Sequence, residues 1–452
     1  MEVMENIKKV FVIGTGISGI NAANFLNKHG KTVVLYDSNE SADKERIKDK
    51  LDNKETQIIT GNLSDEDVDL VDLMVPSPGV FPESEVFQKF VQKNIPIWGE
   101  IELAYRFEKG KVIAITGTNG KTTTTSLVGE MVKSWNEDTF VVGNIGYPYT
   151  NEVDKTNEKS FSVAEISSYQ LETMIEFHPV ITAITNITPD HLDRHHTMEE
   201  YARVKESITK NQTKNDTCIL NYDDERLRKF GEEECPANVI WFGRVSRPEN
   251  GLYFMDNHIY LVRGNEEEAI LNVNKVKLLG NHNYENIMVA LGVAMALGMP
   301  MELALDVIKN FNAVEHRIEF VANINDVDYY NDSKGTNPDA AIKAIEAMIR
   351  PTILIAGGYD KGGEFDEYIK AFGSKVKEVV VLGKTADKII ETARKYNFTN
   401  TKKVESLEEA VSVSKADAKP GDCVLLSPAC ASWGMFTNFE ERGRLFKEYV
   451  KG

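Results

Sequence analysis

The 452-residue sequence predicts an α/β protein built from three consecutive α/β domains. Short apolar strands alternate with helical stretches, and a glycine-rich turn follows an apolar strand in each third of the chain. The composition, 42% hydrophobic and 27% charged, is typical of a globular enzyme. We place the domains at residues 1–98, 99–312 and 313–452.

The first domain opens with a Rossmann-like βαβ unit. An apolar strand leads into the turn Gly14-Thr15-Gly16-Ile17-Ser18-Gly19, a helical segment follows, and the next strand ends at Asp37. This pattern fits a dinucleotide site in which Asp37 would hold ribose hydroxyls. The same turn also suits another nucleotide, or a purely structural connection, so the motif alone leaves three interpretations open.

The second domain begins with a phosphate loop, as in P-loop ATPases. The apolar strand ending at Thr116 runs into Gly117-Thr118-Asn119-Gly120-Lys121-Thr122-Thr123 and then into a helix. Such a turn aims backbone N–H groups and a helix N-terminus at one point, where a phosphate fits. Lys121 would reach a terminal phosphate and Thr122 a magnesium ion. Only two residues separate the glycines instead of the usual four, which indicates a subtype of this loop; the alternative is an ordinary strand–turn–helix connection.

Further polar groups follow apolar strands of the same domain. Glu165 lies at a predicted strand tip and is a candidate magnesium ligand, although a surface-loop glutamate is an equal alternative. The segment 190–196 holds three histidines and two aspartates; its spacing matches no zinc motif, so a phosphate and magnesium site is favoured. Lys205 lies on a predicted helix, and the residue pattern by itself favours a solvated lysine.

The end of the second domain combines a hairpin with a strongly apolar helix. Residues 251–279 predict antiparallel strands with a turn at Asp256-Asn257. Asn283 and Asn286 are three residues apart and could present amides to one planar base. Alternatively, Asn281 or Asn283 is the N-cap of the helix.

The third domain repeats the α/β pattern, with predicted strands at 352–356, 378–382 and 423–427. Two loops follow these strands. One is rich in glycine and carries Lys361, and the other carries hydroxyl groups, including that of Ser432. A cation and hydroxyls at strand tips suit a small carboxylate ligand.

The composition also bounds location and partners. No apolar run approaches the roughly 20 residues that span a bilayer, and the acidic N-terminus lacks a signal-peptide pattern, so we expect a cytoplasmic protein without a membrane partner. A formal net charge of −18 argues against nucleic-acid binding. The four scattered cysteines favour reduced thiols. We expect a monomer.

Taken in order, these segments resemble the Mur ligase family of ATP-dependent amide ligases. The segments that carry the resemblance are 117–122, 143–146, 165–170, 190–193, 283–286, 316–317 and 331–334. The D-glutamate-adding members are the most similar, on residues 357–362, 427–433 and 438–440. Gly434 departs from the aspartate expected there.

The resemblance implies a reaction and its cofactors. The chain would transfer a phosphoryl group from ATP to the alanine carboxylate of UDP-N-acetylmuramoyl-L-alanine and would then join D-glutamate to the acyl phosphate. This step belongs to peptidoglycan precursor synthesis, and so to cell-wall biogenesis, cell shape and cell division. The cofactors would be two Mg²⁺ ions and a CO2-derived carbamate on Lys205.

The resemblance also implies roles for single residues. The expected ATP-binding residues are Gly117, Thr118, Asn119, Gly120, Lys121, Thr122, Thr123, Asn283, Asn286, Arg317 and Asp332. The expected UDP-substrate residues are Ile17, Ser18, Asp37, Gly79, Asn144 and Ser167. The expected D-glutamate residues are Thr336, Lys361, Ser432 and Phe439. The expected catalytic residues are Lys121, Glu165, His191 and Lys205, and the last three, with Thr122, would hold the metal ions.

Three other functions use part of the same motifs. An NAD-dependent oxidoreductase would use the first glycine turn and leave the phosphate loop idle. A non-catalytic nucleotide sensor would have no use for an amino-acid pocket. A folylpolyglutamate-type ligase would share the central loop but would not need a UDP-binding first domain.

Overall fold

The computed structural model describes residues 4–278, 280–312, 314–360, 362 and 364–452. Three mixed or parallel sheets follow one another along the chain, each accompanied by helices. The prediction of three consecutive α/β domains is therefore confirmed. The chain divides into two compact units: the first runs to Asn272 and includes Glu285–Ile308, and the second comprises Val273–Tyr284 and Lys309–Gly452.

The first sheet has four parallel strands in the order β3-β2-β1-β4. Its strands are β1 (Lys9–Ile13), β2 (Thr32–Asp37), β3 (Gln57–Thr60) and β4 (Leu73–Pro76). Its helices are α1 (Ile17–Lys28), α2 (Lys44–Asp49), α3 (Asp65–Val68) and α4 (Glu85–Gln92). Because β1 and β4 are parallel neighbours, the loops that follow them leave the same edge of the sheet.

The second sheet has nine strands in the order β13-β12-β11-β10-β9-β8-β5-β7-β6. Its strands are β5 (Lys111–Thr116), β6 (Thr139–Gly143), β7 (Phe161–Glu165), β8 (Ile181–Ile184), β9 (Thr217–Asn221), β10 (Asn238–Gly243), β11 (Asn250–Met255), β12 (His258–Arg263) and β13 (Glu266–Asn272). Its helices are α5 (Glu100–Tyr105), α6 (Lys121–Trp135), α7 (Tyr149–Glu152), α8 (Ser168–Leu171), α9 (Leu192–His195), α10 (Met198–Glu206), α11 (Glu225–Glu233), α12 (Asn281–Leu297) and α13 (Met301–Asn310).

The antiparallel extension of this sheet confirms the predicted hairpin. Strand β12 pairs antiparallel with β11 and β13, whereas the other neighbours in the sheet are parallel. The β11–β12 turn consists of Asp256 and Asn257, both with positive φ. Two such residues match the twist of a tight hairpin, and aspartate and asparagine tolerate that conformation.

The third sheet, in the second unit, has six strands in the order β14-β15-β19-β16-β17-β18, and only β14 and β15 pair antiparallel. Its strands are β14 (Glu319–Ile324), β15 (Val327–Asn331), β16 (Thr352–Ala356), β17 (Val376–Val381), β18 (Thr401–Lys403) and β19 (Cys423–Leu426). Its helices are α14 (Pro338–Ala347), α15 (Asp366–Lys370), α16 (Ala386–Lys395), α17 (Leu407–Asp417) and α18 (Phe439–Lys451). In the part of the chain that the structure describes, no helix is both long enough and apolar enough to cross a membrane.

Candidate functional site

The loop between β5 and α6 has the backbone of a phosphate loop. Strand β5 is buried from its second residue on, which fixes where the loop begins. Gly117 and Gly120 have φ of 137° and 86°. A Cβ at Gly117 would lie 2.0 Å from Thr185 Oγ1, and one at Gly120 would lie 2.4 Å from Asn286 Oδ1. Both the conformation and the space therefore require glycine.

The loop is anchored by the segment that follows β8. The amides of Thr118 and Asn119 donate to the backbone and side-chain oxygens of Asn186, each at 2.9 Å. The hydroxyl of Thr185 donates to the Asn119 carbonyl at 2.6 Å. Because these two amides already have acceptors, the first turn of α6 is the better source of donors to a bound phosphate.

Two lysines meet at the carbonyl of Gly117. Lys121 Nζ donates to this oxygen at 2.9 Å, and Lys205 Nζ donates to it at 2.8 Å. Lys205 is 1% exposed, so the interpretation of a solvated lysine is wrong. Burial, with a smaller effect from the charge of Lys121, lowers the pKa of Lys205 to about 7, while Asp190 and Glu165 act in the opposite direction.

Glu165 is the last residue of β7, opposite Ile115 of β5 and Gly143 of β6. It is 1% exposed, so the surface-loop alternative is wrong. Its Oε1 accepts from Asn144 Nδ2 at 2.7 Å, whereas its buried Oε2 has no hydrogen-bond partner among the described residues. A buried carboxylate oxygen without a donor fits a divalent cation, which is the natural partner of such an atom.

His191 lies at the start of α9 with a φ of 51°. Its Nδ1 is 3.0 Å from the hydroxyl of Tyr169, its Nε2 is 3.5 Å from Asp190 Oδ2, and its side chain is 47% exposed. The neighbouring His195 is buried against Ser168 instead. His191 is thus better placed than His195 to reach a ligand. Across the described ranges, no three His, Cys, Asp or Glu side chains form a metal-ion site on their own.

Tyr201 belongs to this region but was not singled out from the sequence. Its hydroxyl lies 3.2 Å from Thr118 Oγ1, and its ring centroid lies 4.7 Å from Lys205 Nζ. Burial raises the pKa of Tyr201 to about 12, so the hydroxyl keeps its proton at neutral pH. The spacing of four residues from Lys205 on one helix is a signal that could have identified it.

In the first glycine turn, backbone conformation and close packing explain why glycine occupies positions 14 and 19. Gly14 has a φ of 102°, and a Cβ at Gly19 would lie 1.9 Å from the Gly14 carbonyl oxygen. The carboxylate of Asp37 accepts hydrogen bonds from Thr15 and from the Asn39 amide. The turn and the acidic residue are thus held together, with Asp37 at the end of β2.

The other residues predicted for the UDP substrate lie in this unit as well. Ile17 is 75% exposed at the start of α1, where Ser18 is half-buried, and Gly79 is exposed after β4. Ser167 is the N-cap of α8 and forms a capping box with Gln170. Asn144 is exposed at the end of β6, and its amide group is held by Glu165.

In the second unit, Asp332 follows β15 and is buried. Burial raises the pKa of its carboxyl to about 7, although the Ser427 hydroxyl donates to it at 2.7 Å and the half-buried Arg317 has a smaller opposing effect. Asn283, which is predicted to bind ATP together with Arg317 and Asp332, is buried in the first turn of α12. Because the helix begins at Asn281, both Asn281 and Asn283 lie within it, and the alternative that one of them is its N-cap is wrong. In the first unit, the side-chain oxygen of Asn286 accepts a hydrogen bond from the Thr124 hydroxyl at 3.1 Å.

A buried arginine organises the loops predicted to hold D-glutamate. Arg442 of α18 donates to the hydroxyl and carbonyl oxygens of Ser333 at 3.0 and 2.8 Å and to the Cys430 carbonyl at 3.1 Å. Burial lowers its pKa to about 10. No sequence motif pointed to this residue, since an arginine in an amphipathic helix normally faces solvent.

The predicted D-glutamate residues lie around these loops. Ser432 is buried, Thr336 and Phe439 are half-buried, and the Ser333 hydroxyl donates to the Phe439 carbonyl at 2.8 Å. Lys361 lies outside the described residues.

Three consecutive α/β domains with a short-spaced phosphate loop in the second have the architecture of a phosphate-binding protein, and sequence comparison identifies its family. The Mur ligase MurD-like N-terminal domain matches residues 8–99, the Mur ligase middle domain 115–294, and the glutamate ligase domain of Mur ligases 316–430. The chain belongs to the Mur ligase family.

Curated relatives cover almost the whole chain. The UDP-N-acetylmuramoylalanine–D-glutamate ligase of Lachnospira eligens is 55% identical, and that of Lachnoclostridium phytofermentans 52% identical, each over 98% of both chains. The same enzyme of Clostridioides difficile is 45% identical over 98% of both chains.

Solved structures share the fold. The UDP-N-acetylmuramate-alanine ligase of Thermotoga maritima aligns over 99% of both chains with a TM-score of 0.61 and 20% identity. A pseudomurein peptide ligase of Methanothermus fervidus aligns over 98% of this chain and 99% of its own with a TM-score of 0.56 and 18% identity.

Proposed function

We propose that this chain is an ATP-dependent ligase that joins D-glutamate to UDP-N-acetylmuramoyl-L-alanine, ADP and phosphate being released, in peptidoglycan precursor synthesis. The observation that carries the proposal is the group of side chains at one edge of the second sheet. A phosphate loop, a buried carboxylate with a free oxygen and a buried lysine meet there. The identity of the substrates in this proposal is taken from the relatives that are named as D-glutamate ligases.

The geometry supports activation of a carboxylate by phosphoryl transfer. A free carboxylate is a poor electrophile because its negative charge repels nucleophiles. Transfer of the γ-phosphoryl group makes an acyl phosphate, whose carbonyl carbon the D-glutamate amine attacks as phosphate leaves. Such transfer needs positioning and charge neutralisation above all, and Lys121 at the loop supplies one positive charge.

Magnesium is the metal that the donor set fits. Thr122, Glu165 and His191, together with a modified Lys205, would hold two ions, and the oxygens among these donors are those that Mg²⁺ prefers. The bound ions would neutralise charge on the transferring phosphoryl group. The free Oε2 of Glu165 is the specific support for this assignment.

The buried amine of Lys205 supports a carbamate. With a pKa near 7, a large share of the amine is neutral at neutral pH. The lone pair of a neutral amine can attack the carbon of CO2, and loss of a proton to solvent then leaves an N-carboxylate. The change turns a cation into a second carboxylate beside Glu165.

The remaining assignments complete the proposal. The loops after β1 and β4, with Ile17, Ser18, Asp37 and Gly79, would hold the UDP portion of the substrate, and Asn144 and Ser167 would lie near the muramoyl portion. Thr336, Lys361, Ser432 and Phe439 would hold D-glutamate, and Asn283, Asn286, Arg317 and Asp332 would contact the nucleotide. The boundaries at 98/99 and 312/313, a cytoplasmic location and a monomeric state are part of the same proposal.

Phosphate release from ATP tests the function directly. We expect release that requires both UDP-N-acetylmuramoyl-L-alanine and D-glutamate, with product detected by mass. L-Glutamate and a panel of other D- and L-amino acids serve as controls. Equal turnover with L-glutamate, or none with D-glutamate, would overturn the proposed specificity.

A further inference from the structure

Arg194 is a buried charge that the proposed chemistry does not use. It lies in α9, three residues after His191, and is 5% exposed. Its guanidinium forms a two-pronged ion pair with Glu172, in which Nε lies 3.0 Å from Oε1 and Nη2 lies 2.5 Å from Oε2. Burying such a pair costs desolvation energy, so the ion pair by itself is weak evidence of a gain in stability.

The other guanidinium donors reach the loop that follows β4. Nη1 donates to the carbonyl of Pro78 at 3.1 Å, and Nη2 donates to the carbonyl of Val80 at 3.0 Å. These two residues flank Gly79, and the ring of Phe81 lies 4.8 Å from the guanidinium carbon. One side chain thus fixes the backbone on both sides of Gly79.

The same guanidinium also supports the surroundings of His191. It lies 4.1 Å from the ring centroid of Tyr169, whose hydroxyl is 3.0 Å from His191 Nδ1. Arg194 and His191 are joined through the backbone of α9 as well, since the amide of Arg194 donates to the His191 carbonyl at 3.1 Å. Arg194 therefore contacts both the tyrosine ring whose hydroxyl reaches the imidazole and the backbone of His191 itself.

We propose that Arg194 is a positioning residue that fixes the loop 78–81 and the imidazole of His191 in one geometry. This proposal rests on the proposed function, because that function gives Gly79 a role in UDP-substrate binding and His191 a role in metal binding. A lysine cannot take over this role, since its single ammonium lacks the planar fork that reaches Glu172 and both carbonyls at once.

The test uses the full chain with Arg194→Lys, and Arg203→Lys as the control. Arg203 is 73% exposed and pairs only with Glu199 on its own helix among the ion pairs of the described residues. We expect Arg194→Lys to raise about tenfold both the KM for UDP-N-acetylmuramoyl-L-alanine and the Mg²⁺ concentration at half-maximal rate. The KM for D-glutamate should stay unchanged, and the control should change none of these.

Hydrogen exchange gives a readout that needs no turnover. We expect the backbone amides of Gly79, Val80 and Phe81 to exchange at least tenfold faster in Arg194→Lys, with the amides of β5 unchanged. If Arg194→Lys does not fold, Glu172→Gln, which loosens the guanidinium without removing it, should show the same pattern more weakly. Unchanged exchange at the amides of residues 79–81, or a uniform change in all kinetic constants, would overturn the proposal. If the chain without substitutions catalyses no ligation, the proposed function is overturned. The role of Arg194 is decided separately, because the exchange experiment needs no turnover.

Discussion

At the scale of single residues, burial decides the chemistry of this site more than residue type does. A lysine and a glutamate that the sequence could place equally well on the surface are each 1% exposed. Lys205 consequently has a pKa near 7, and Glu165 has an oxygen without a donor. Both properties come from neighbours on other strands and helices, whose positions no local pattern specifies.

Lys205→Gln is expected to abolish most activity while leaving the fold intact. Glutamine keeps the approximate size but cannot form a carbamate, so the rate of phosphate release should fall at least about 100-fold. Lys214→Gln, at an exposed position, is the control. In the chain without the substitution, ¹³CO2 should give a carbamate signal in ¹³C NMR, and Lys205→Gln should lack this signal. A signal that persists in the variant would contradict the assignment.

The lowered pKa of Lys205 predicts that the rate of reactivation by CO2 depends on pH. Because the pKa of Lys205 is about 7, about 10% of the amine is neutral at pH 6 and about 90% at pH 8. Enzyme freed of CO2 should regain activity after CO2 is added back several-fold faster at pH 8 than at pH 6, at equal dissolved CO2. Recovery at equal rates would show that the neutral amine is not the reacting form.

The raised pKa of Asp332 predicts that the protein loses stability as the pH rises. Its folded pKa of about 7 lies above the unfolded value of 3.8, so the carboxyl contributes stability below pH 4 that is lost as the pH rises through 7. Asp332→Asn should therefore melt close to the unmodified chain at pH 4.5 and several degrees higher at pH 8. Calorimetry at both pH values measures this, with the exposed Asp339→Asn as the control. A variant that is less stable at both pH values would contradict it.

At the scale of elements, the phosphate loop works because β5 and α6 deliver two glycines to crowded positions. Gly120→Ala places a Cβ 2.4 Å from Asn286 Oδ1 and forces alanine to a φ of 86°. We expect the KM for ATP to rise at least tenfold, since the first turn of α6 must shift. Gly16→Ala is the matched control, because Gly16 has a φ of −73° and open space around its Cβ. An unchanged KM for ATP in Gly120→Ala would contradict this role of the loop.

The elements themselves were largely predictable. The βαβ unit, the hairpin at Asp256-Asn257 and the strand 352–356 follow from alternation of apolar runs with glycine-rich turns, and the structure confirms them. Side-chain roles were less accessible. Arg194 and Arg442 sit in ordinary-looking helices, and only the loops that pack around them turn these surface-type residues into buried anchors.

At the scale of the whole molecule, each of the two compact units has its own apolar core. We expect calorimetry to resolve two unfolding transitions. UDP-N-acetylmuramoyl-L-alanine at about 100 times its Kd should stabilise the first unit by about 2.7 kcal/mol and leave the other transition in place. Asp37→Asn should reduce that shift. A single transition that moves as a whole would show that the two units unfold together.

The sequence by itself determined the α/β class, the phosphate loop, the order of the motifs and, through them, the family. These properties are local, because a strand, a turn and a helix start are encoded in a few consecutive residues. Only the tertiary structure decided that Lys205 is buried beside the loop, that Glu165 has a free oxygen and that Arg194 joins the loop at Gly79 to the neighbours of His191. Each of these depends on desolvation and on contacts between residues far apart in the chain, which folding alone brings together.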